Sequence, residues 1–160
     1  YGQGPHGLAQ GTGMDFTTAR QFIAKYFEIR PKLKAYIDEL RRQAKDEGYV
    51  ESLVGRRRPT PDVQSSNFAV REGAFRAAIN MPVQGTAADL TKLAMVRVVK
   101  QLSEGAQLIM QVHDSLLIEC ESAQAEEVSK ILKETMEAVY PKLGVKLKVD
   151  VSTGQNWGEL

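Results

Sequence analysis

Apolar residues along this chain recur first at helical and later at strand spacing, and the change of period outlines its elements. Phe22, Ile23, Tyr26 and Phe27 form one stripe of a helix beginning near Thr18, with Asp15 or Thr17 as its cap. Pro31 breaks or restarts that helix, and Leu33, Tyr36, Ile37 and Leu40 continue at the same spacing as far as Gly48. Tyr49 to Val54 predicts a short strand, followed by a basic loop and an irregular stretch through Pro59 and Pro61. A helix is expected from about Asn67 to Asn80, where Met81-Pro82 forces a kink or a junction. A second is expected from about Thr86 to Leu102, with Leu90, Leu93, Ala94, Val98 and Leu102 on one side. Two short apolar runs, Leu108 to Val112 and Leu116 to Ile118, then flank His113-Asp114-Ser115, which predicts a hairpin of buried strands with a polar crest. A helix over 123–140 carries Val128, Ile131, Leu132, Met136 and Val139, and the alternation over 145–151 predicts a final strand. Residues 1–15 read as a Gly-rich connector. Helices and antiparallel strands in separate blocks give an α+β architecture with helices packed on one sheet face. There is no internal repeat.

Charge adds an asymmetry to this outline. Residues 1–76 carry 13 Lys or Arg against 9 Asp or Glu, and residues 77–160 carry 8 against 11, so the formal net charge of +1 conceals halves of +4 and −3. Arg41, Arg42 and Lys45 lie among Asp38, Glu39, Asp46 and Glu47, which reads as a solvated face with ordinary ion pairs. No arginine of Gly55-Arg56-Arg57-Arg58-Pro59 has an acid within three residues, and the run reads either as a solvated loop or as a phosphate-binding one. A hydrophobic share of 42% and a charged share of 26% are ordinary for a globular chain of 160 residues. No apolar run is long enough to cross a bilayer, and no signal-peptide pattern opens the chain, so no membrane partner is expected. The single cysteine, Cys120, has no internal partner and reads as a small core residue. The opening Tyr and the five glycines among the first thirteen residues suggest a piece of something longer.

Two constellations carry possible chemistry. The hairpin crest presents Asp114 where a cation or a phosphate would meet it. Taken alone, those residues are better explained as a plain turn whose polar side chains satisfy loop backbone. The second is Arg76, Asn80 and Gln84, which recur at intervals of four and so share one side of a helix. Such side chains hydrogen-bond to base edges and sugars, and in a minor groove they would meet the N3 and O2 acceptors that every base pair offers. Equally, Asn80 and Gln84 would satisfy backbone groups freed by Pro82.

The block Asn80-Met81-Pro82-Val83-Gln84-Gly85-Thr86-Ala87-Ala88-Asp89, followed by Gln111-Val112-His113-Asp114, resembles the palm region of family A DNA polymerases, the bacterial DNA polymerase I type. Tyr1-Gly2 resembles the end of that family's fingers helix, Gly55-Arg56-Arg57-Arg58 fits the pattern in place and order, and the likeness runs through Gly154-Gln155-Asn156-Trp157. The resemblance implies a C-terminal fragment: residues 1–66 as part of the fingers and connecting helices, and 67–160 as a palm portion with its antiparallel sheet. It implies that Asp114 helps hold two Mg2+ ions that activate a primer 3′-hydroxyl and steady the departing pyrophosphate. His113 would lie against the primer terminus. Arg76, Asn80 and Gln84, with the basic run Arg56, Arg57 and Arg58, would touch DNA. Tyr1 and Gly2 would border the insertion site. Primed DNA template, deoxynucleoside triphosphates and the upstream part of the polymerase are the implied partners, in the cytoplasm of a bacterium near its nucleoid. Lys92 is given no role beyond surface charge.

Two departures qualify the likeness. Ser115 stands where the family usually has Glu, as single-subunit phage-type RNA polymerases do, which keeps an RNA-synthesising version open. The family's first palm carboxylate and the Arg and Lys of the fingers helix have no counterpart in these residues, so the 160-residue chain alone is expected not to polymerise. A non-catalytic nucleic-acid-binding module and a purely structural domain are the remaining alternatives.

Overall fold

The computed structural model describes residues 2–160 and divides the chain into two compact units, the first ending at Thr86 and the second running from Ala87 to Leu160. In the first unit, helices α1 (Pro5–Thr12), α2 (Phe16–Glu28) and α3 (Pro31–Asp46) precede a hairpin of β1 (Tyr49–Glu51) and β2 (Arg57–Pro59). Helix α4 (Phe68–Val99) begins in this unit and continues into the second. There it is followed by the hairpin β3 (Gln107–Val112) and β4 (Ser115–Glu119) and by α5 (Ala125–Glu137). Both sheets are two-stranded and antiparallel, so the α+β expectation holds.

Local chemistry accounts for most boundaries. Asp15 caps α2 by accepting from the backbone N–H of Thr18 at 3.0 Å, and the hydrogen bonds from Thr18 hold its carboxyl below the usual range. Pro31 opens α3 at its first turn, where a missing N–H costs nothing. Gly48, at φ +76°, turns the chain from α3 into β1, and its carbonyl accepts from Thr60 at 2.8 Å. Asn67 caps α4, its side-chain oxygen accepting from Ala69 at 2.9 Å and Val70 at 3.3 Å.

Four expectations are corrected. The Gly-rich connector contains α1, because Pro5 provides a favoured first position and Ala9, Leu8 and Gln10 outweigh the glycines. The basic loop is partly strand, since Arg57 and Arg58 pair with Glu51 and Val50 in β2. Pro82 makes no junction: α4 runs through it for 32 residues. Proline removes one N–H, and the buried neighbours Ala78, Ile79 and Met81 hold the helix against their surroundings, so packing overrides the local penalty. Residues 145–151 form no strand. Alternation sets which side chains face inward, but a strand also needs a partner, and among the described residues none pairs with this segment. The Val149 N–H donates instead to a Glu137 carboxylate oxygen at 3.1 Å.

The core of the first unit is Leu40, Ala44, Val50, Val63, Phe75, Ala78 and Met81. Arg41 lies 4.1 Å over the Phe75 ring while holding both oxygens of Glu72, at 2.9 and 3.1 Å. Arg42 pairs with Glu39 and Asp46 as the local acids predict. The stripe on α2 is helical, yet Phe22 and Tyr26 remain exposed. In the second unit Leu90, Ala94 and Val139 are buried with Leu93, Met136, Tyr140, Leu143 and Leu147 around them. The guanidinium of Arg97 donates to the Val139 carbonyl at 2.6 Å, tying the end of α4 to the end of α5. Among the described residues no helix is long and apolar enough to cross a membrane.

Val50 has no exposed surface and lies at the centre of the first core. Truncating it to Ala should cost about 2 kcal/mol, lost transfer energy plus a cavity, and lower the midpoint of denaturant unfolding without changing its slope.

Candidate active-site hairpin and nucleic-acid face

The crest of the β3–β4 hairpin is a two-residue turn. Val112 pairs with Ser115, leaving His113 and Asp114 to reverse the chain. His113 adopts φ +55°, the only described non-glycine residue with positive φ. Histidine enters this left-handed region more readily than branched residues do, though it still needs support from its surroundings. That support comes from Gln111, whose side-chain amide donates to the His113 carbonyl at 2.9 Å. The clamp fixes the peptide plane between His113 and Asp114, and with it the direction in which Asp114 leaves the backbone. A register shift between Leu108 and Met110 leaves Ile109 as an extra residue, a bulge that twists the hairpin below its crest.

Both crest side chains are exposed. The Asp114 carboxylate has no hydrogen-bond or ion partner among the described residues. A solvent-facing carboxylate on a clamped turn is a hard oxygen donor suited to Mg2+, and it fits as one ligand of such an ion. Among the described residues no group of three or more His, Cys, Asp or Glu side chains converges to hold a metal. The strands beneath are less buried than their apolar runs predict: Ile109 is 51% and Val112 42% exposed.

The polar ladder and the arginine run belong to the first unit. Because α4 is continuous there, Arg76, Asn80 and Gln84 do share one helix side, with Arg76 and Gln84 exposed and Asn80 half-buried. Gly2 leans on this helix: a Cβ placed on it would lie 3.3 Å from Arg76 Cγ and 3.8 Å from Ile79 Cδ1. Gly2 and Arg76 are therefore brought together, whereas Tyr1 lies outside the described residues.

Within the arginine run the strand pleat separates the roles. Arg57 donates to Glu51 at 3.0 Å and stacks 4.3 Å over the Tyr49 ring, and the Glu51 hydrogen bond raises its pKa further. Arg58 points to the other face of β2 and has no carboxylate partner among the described residues. The backbone N–H of Arg56 donates to Ser52 Oγ at 3.2 Å inside the hairpin turn. Two supporting residues escaped the sequence reading. Gln111 shows its function only once the turn is folded, and Thr86 contacts a residue thirty-three positions away, Leu53.

Comparison with known proteins defines the class. The DNA polymerase family A profile matches residues 1–159. The chain belongs to DNA polymerase family A. It is 47% identical over 158 residues to the thermostable DNA polymerase I of Thermus aquaticus, covering 98% of this chain and 19% of that protein. It is 41% identical over 162 residues to DNA polymerase I of Lactococcus lactis subsp. cremoris, covering 99% of this chain and 18% of that one. The POL domain of Pol1 from M. smegmatis, solved in complex with DNA primer-template and dNTP, superposes with a TM-score of 0.84 at 36% identity. That match covers 91% of this chain and 26% of the solved one. The chain thus spans about a fifth of the length of the curated relatives it matches.

Replacing Gln111 by Glu keeps the length but removes the donor. Amide exchange at Asp114 and Ser115 should then run roughly fivefold faster, as loss of a bond of about 1 kcal/mol requires. Hydrogen-exchange mass spectrometry reads this directly.

Proposed function

We propose that this chain supplies the metal-binding hairpin and part of the primer-template surface of a template-directed DNA polymerase, which adds deoxynucleotides to a primer 3′-hydroxyl. The observation that carries the reading is Asp114, an unpartnered carboxylate on a clamped crest in a chain of this family. Asp114 would hold Mg2+, and His113 would lie beside the primer terminus. When bound, the two metal ions of such a site make the 3′-hydroxyl a better nucleophile and neutralise charge on the leaving pyrophosphate. The protein's own part is positioning: Gln111 holds the turn, and the turn holds the carboxylate.

Arg76, Asn80 and Gln84 would bind the minor groove of the primer-template duplex. Successive rungs on a helix rise about 6 Å, close to two base steps of about 3.4 Å each, so neighbouring side chains would meet alternate base pairs. Donors directed at N3 and O2 sense pair geometry without reading sequence. Arg58 would meet a phosphate, with Arg56 and Arg57 shaping the hairpin beside it. Gly2, beside Arg76, and Tyr1 would border the insertion site. In domain terms, 1–66 would belong to the fingers side and 67–160 to the palm. These substrates would put the protein in the bacterial cytoplasm, at the nucleoid.

In the complete polymerase that carries this sequence, Asp114→Asn should lower kcat by roughly 10³-fold, about 4 kcal/mol of transition-state stabilisation, with primed-DNA affinity within threefold. Retained turnover in steady-state primer extension would remove the catalytic assignment.

The purified 160-residue chain, with one crest carboxylate to offer, should incorporate no nucleotide on a primed template in Mg2+. Primer extension resolved on a denaturing gel is the check, and an elongated primer would refute the inactivity.

A further inference from the structure

A hydroxyl adds a hydrogen bond between the arginine hairpin and the ladder helix, which already share the core of Val50, Ala78 and Met81. Thr86 Oγ1 accepts from the backbone N–H of Leu53, in the turn between β1 and β2, at 2.8 Å. The same hydroxyl donates to the carbonyl of Pro82, one helical turn back, at 2.5 Å. A threonine serving only its own helix would make the second bond and leave its lone pairs to water. Here the lone pair holds a backbone amide thirty-three residues away. The turn lies against the helix at Gly85, where a Cβ would stand in ordinary contact with Ser52 Cβ at 3.6 Å. The turn is itself cross-braced, with Ser52 N–H donating to the Arg56 carbonyl and Gly55 N–H to the Ser52 carbonyl, both at 2.9 Å. A shift at Leu53 is therefore passed on to β2, and so to Arg58.

We infer that Thr86 is a positioning residue for nucleic acid, whose hydroxyl sets the register of Arg58 against Gln84. The inference rests on the proposed reading of Arg58 and the ladder as contacts to a duplex. The ligand chemistry is a phosphodiester backbone at Arg58 and base-edge acceptors at Gln84, and Thr86 touches neither. It adds a directional bond to the separation between them, beside the shared core of Val50, Ala78 and Met81. Both arms must meet one rigid duplex, so a hairpin that slides on α4 loses the phosphate while the ladder stays seated.

The test uses the complete polymerase that carries this sequence, with primed-duplex affinity measured across a salt series and kcat measured at saturating DNA. Thr86→Val removes donor and acceptor at nearly constant volume, and Thr86→Ser keeps both. Thr86→Val should weaken primed-DNA binding several-fold and reduce the slope of log affinity against log salt by up to about one, the signature of one lost phosphate contact. Its kcat should stay within twofold, and Thr86→Ser should restore affinity and slope. Arg58→Ala should give the same slope, and combining it with Thr86→Val should cause no further loss, because both changes remove one contact. Weaker binding at unchanged slope, or losses that add in full, would overturn the inference and leave Thr86 as a fold-supporting residue. An unchanged slope in Arg58→Ala would overturn it too, at the level of the phosphate reading beneath it. The Asp114 variant tests catalysis independently of all these arms.

Discussion

The unbroken helical period of α4 is the constraint on which the alignment of the polar ladder depends. Arg76, Asn80 and Gln84 align only if the backbone keeps its turn through Pro82, and a proline there removes an amide from the ladder of main-chain bonds. Packing holds the period. Ala78, Ile79 and Met81 are buried around the break, so bending would open the first core. Packing thus preserves a geometry that local preference alone would disfavour.

The crest shows the same logic at smaller scale. A positive φ at His113 is unfavourable for a residue with a side chain, and the neighbouring Gln111 amide compensates by holding the carbonyl that this conformation turns outward. The result is a carboxylate whose direction is set by the backbone and which is free of competing partners among the described residues. Rigidity beneath and freedom at the tip are what a metal-binding carboxylate requires.

Much of this was legible in the sequence because it depends on near neighbours. The α2 cap at Asp15, the α3 start at Pro31, the α4 start near Asn67 and the His113-Asp114 turn all follow from residues within four positions. What was not legible depends on distant partners. No local rule indicates that Arg41 finds Glu72, that Leu53 finds Thr86, or that Pro82 is absorbed. The expected final strand failed for a related reason: Val145, Leu147, Val149 and Val151 alternate correctly, but β-structure is a property of two backbones. At the site, Asp114 and the ladder stood out by residue pattern and motif likeness implied their roles, whereas their supports Gln111 and Thr86 emerge only in the folded chain.

The pleat of β2 has one more consequence. Arg57 and Arg58 are adjacent in sequence and identical in composition, yet one is neutralised by Glu51 and flattened against Tyr49, while the other faces away. Lysine at Arg58 would preserve most of a point-charge attraction, but at Arg57 it would forfeit a planar stack that an ammonium cannot reproduce. A tract of like cations is therefore not a pool of interchangeable electrostatic contacts, and conservative exchange is harmless or harmful according to the parity of the position.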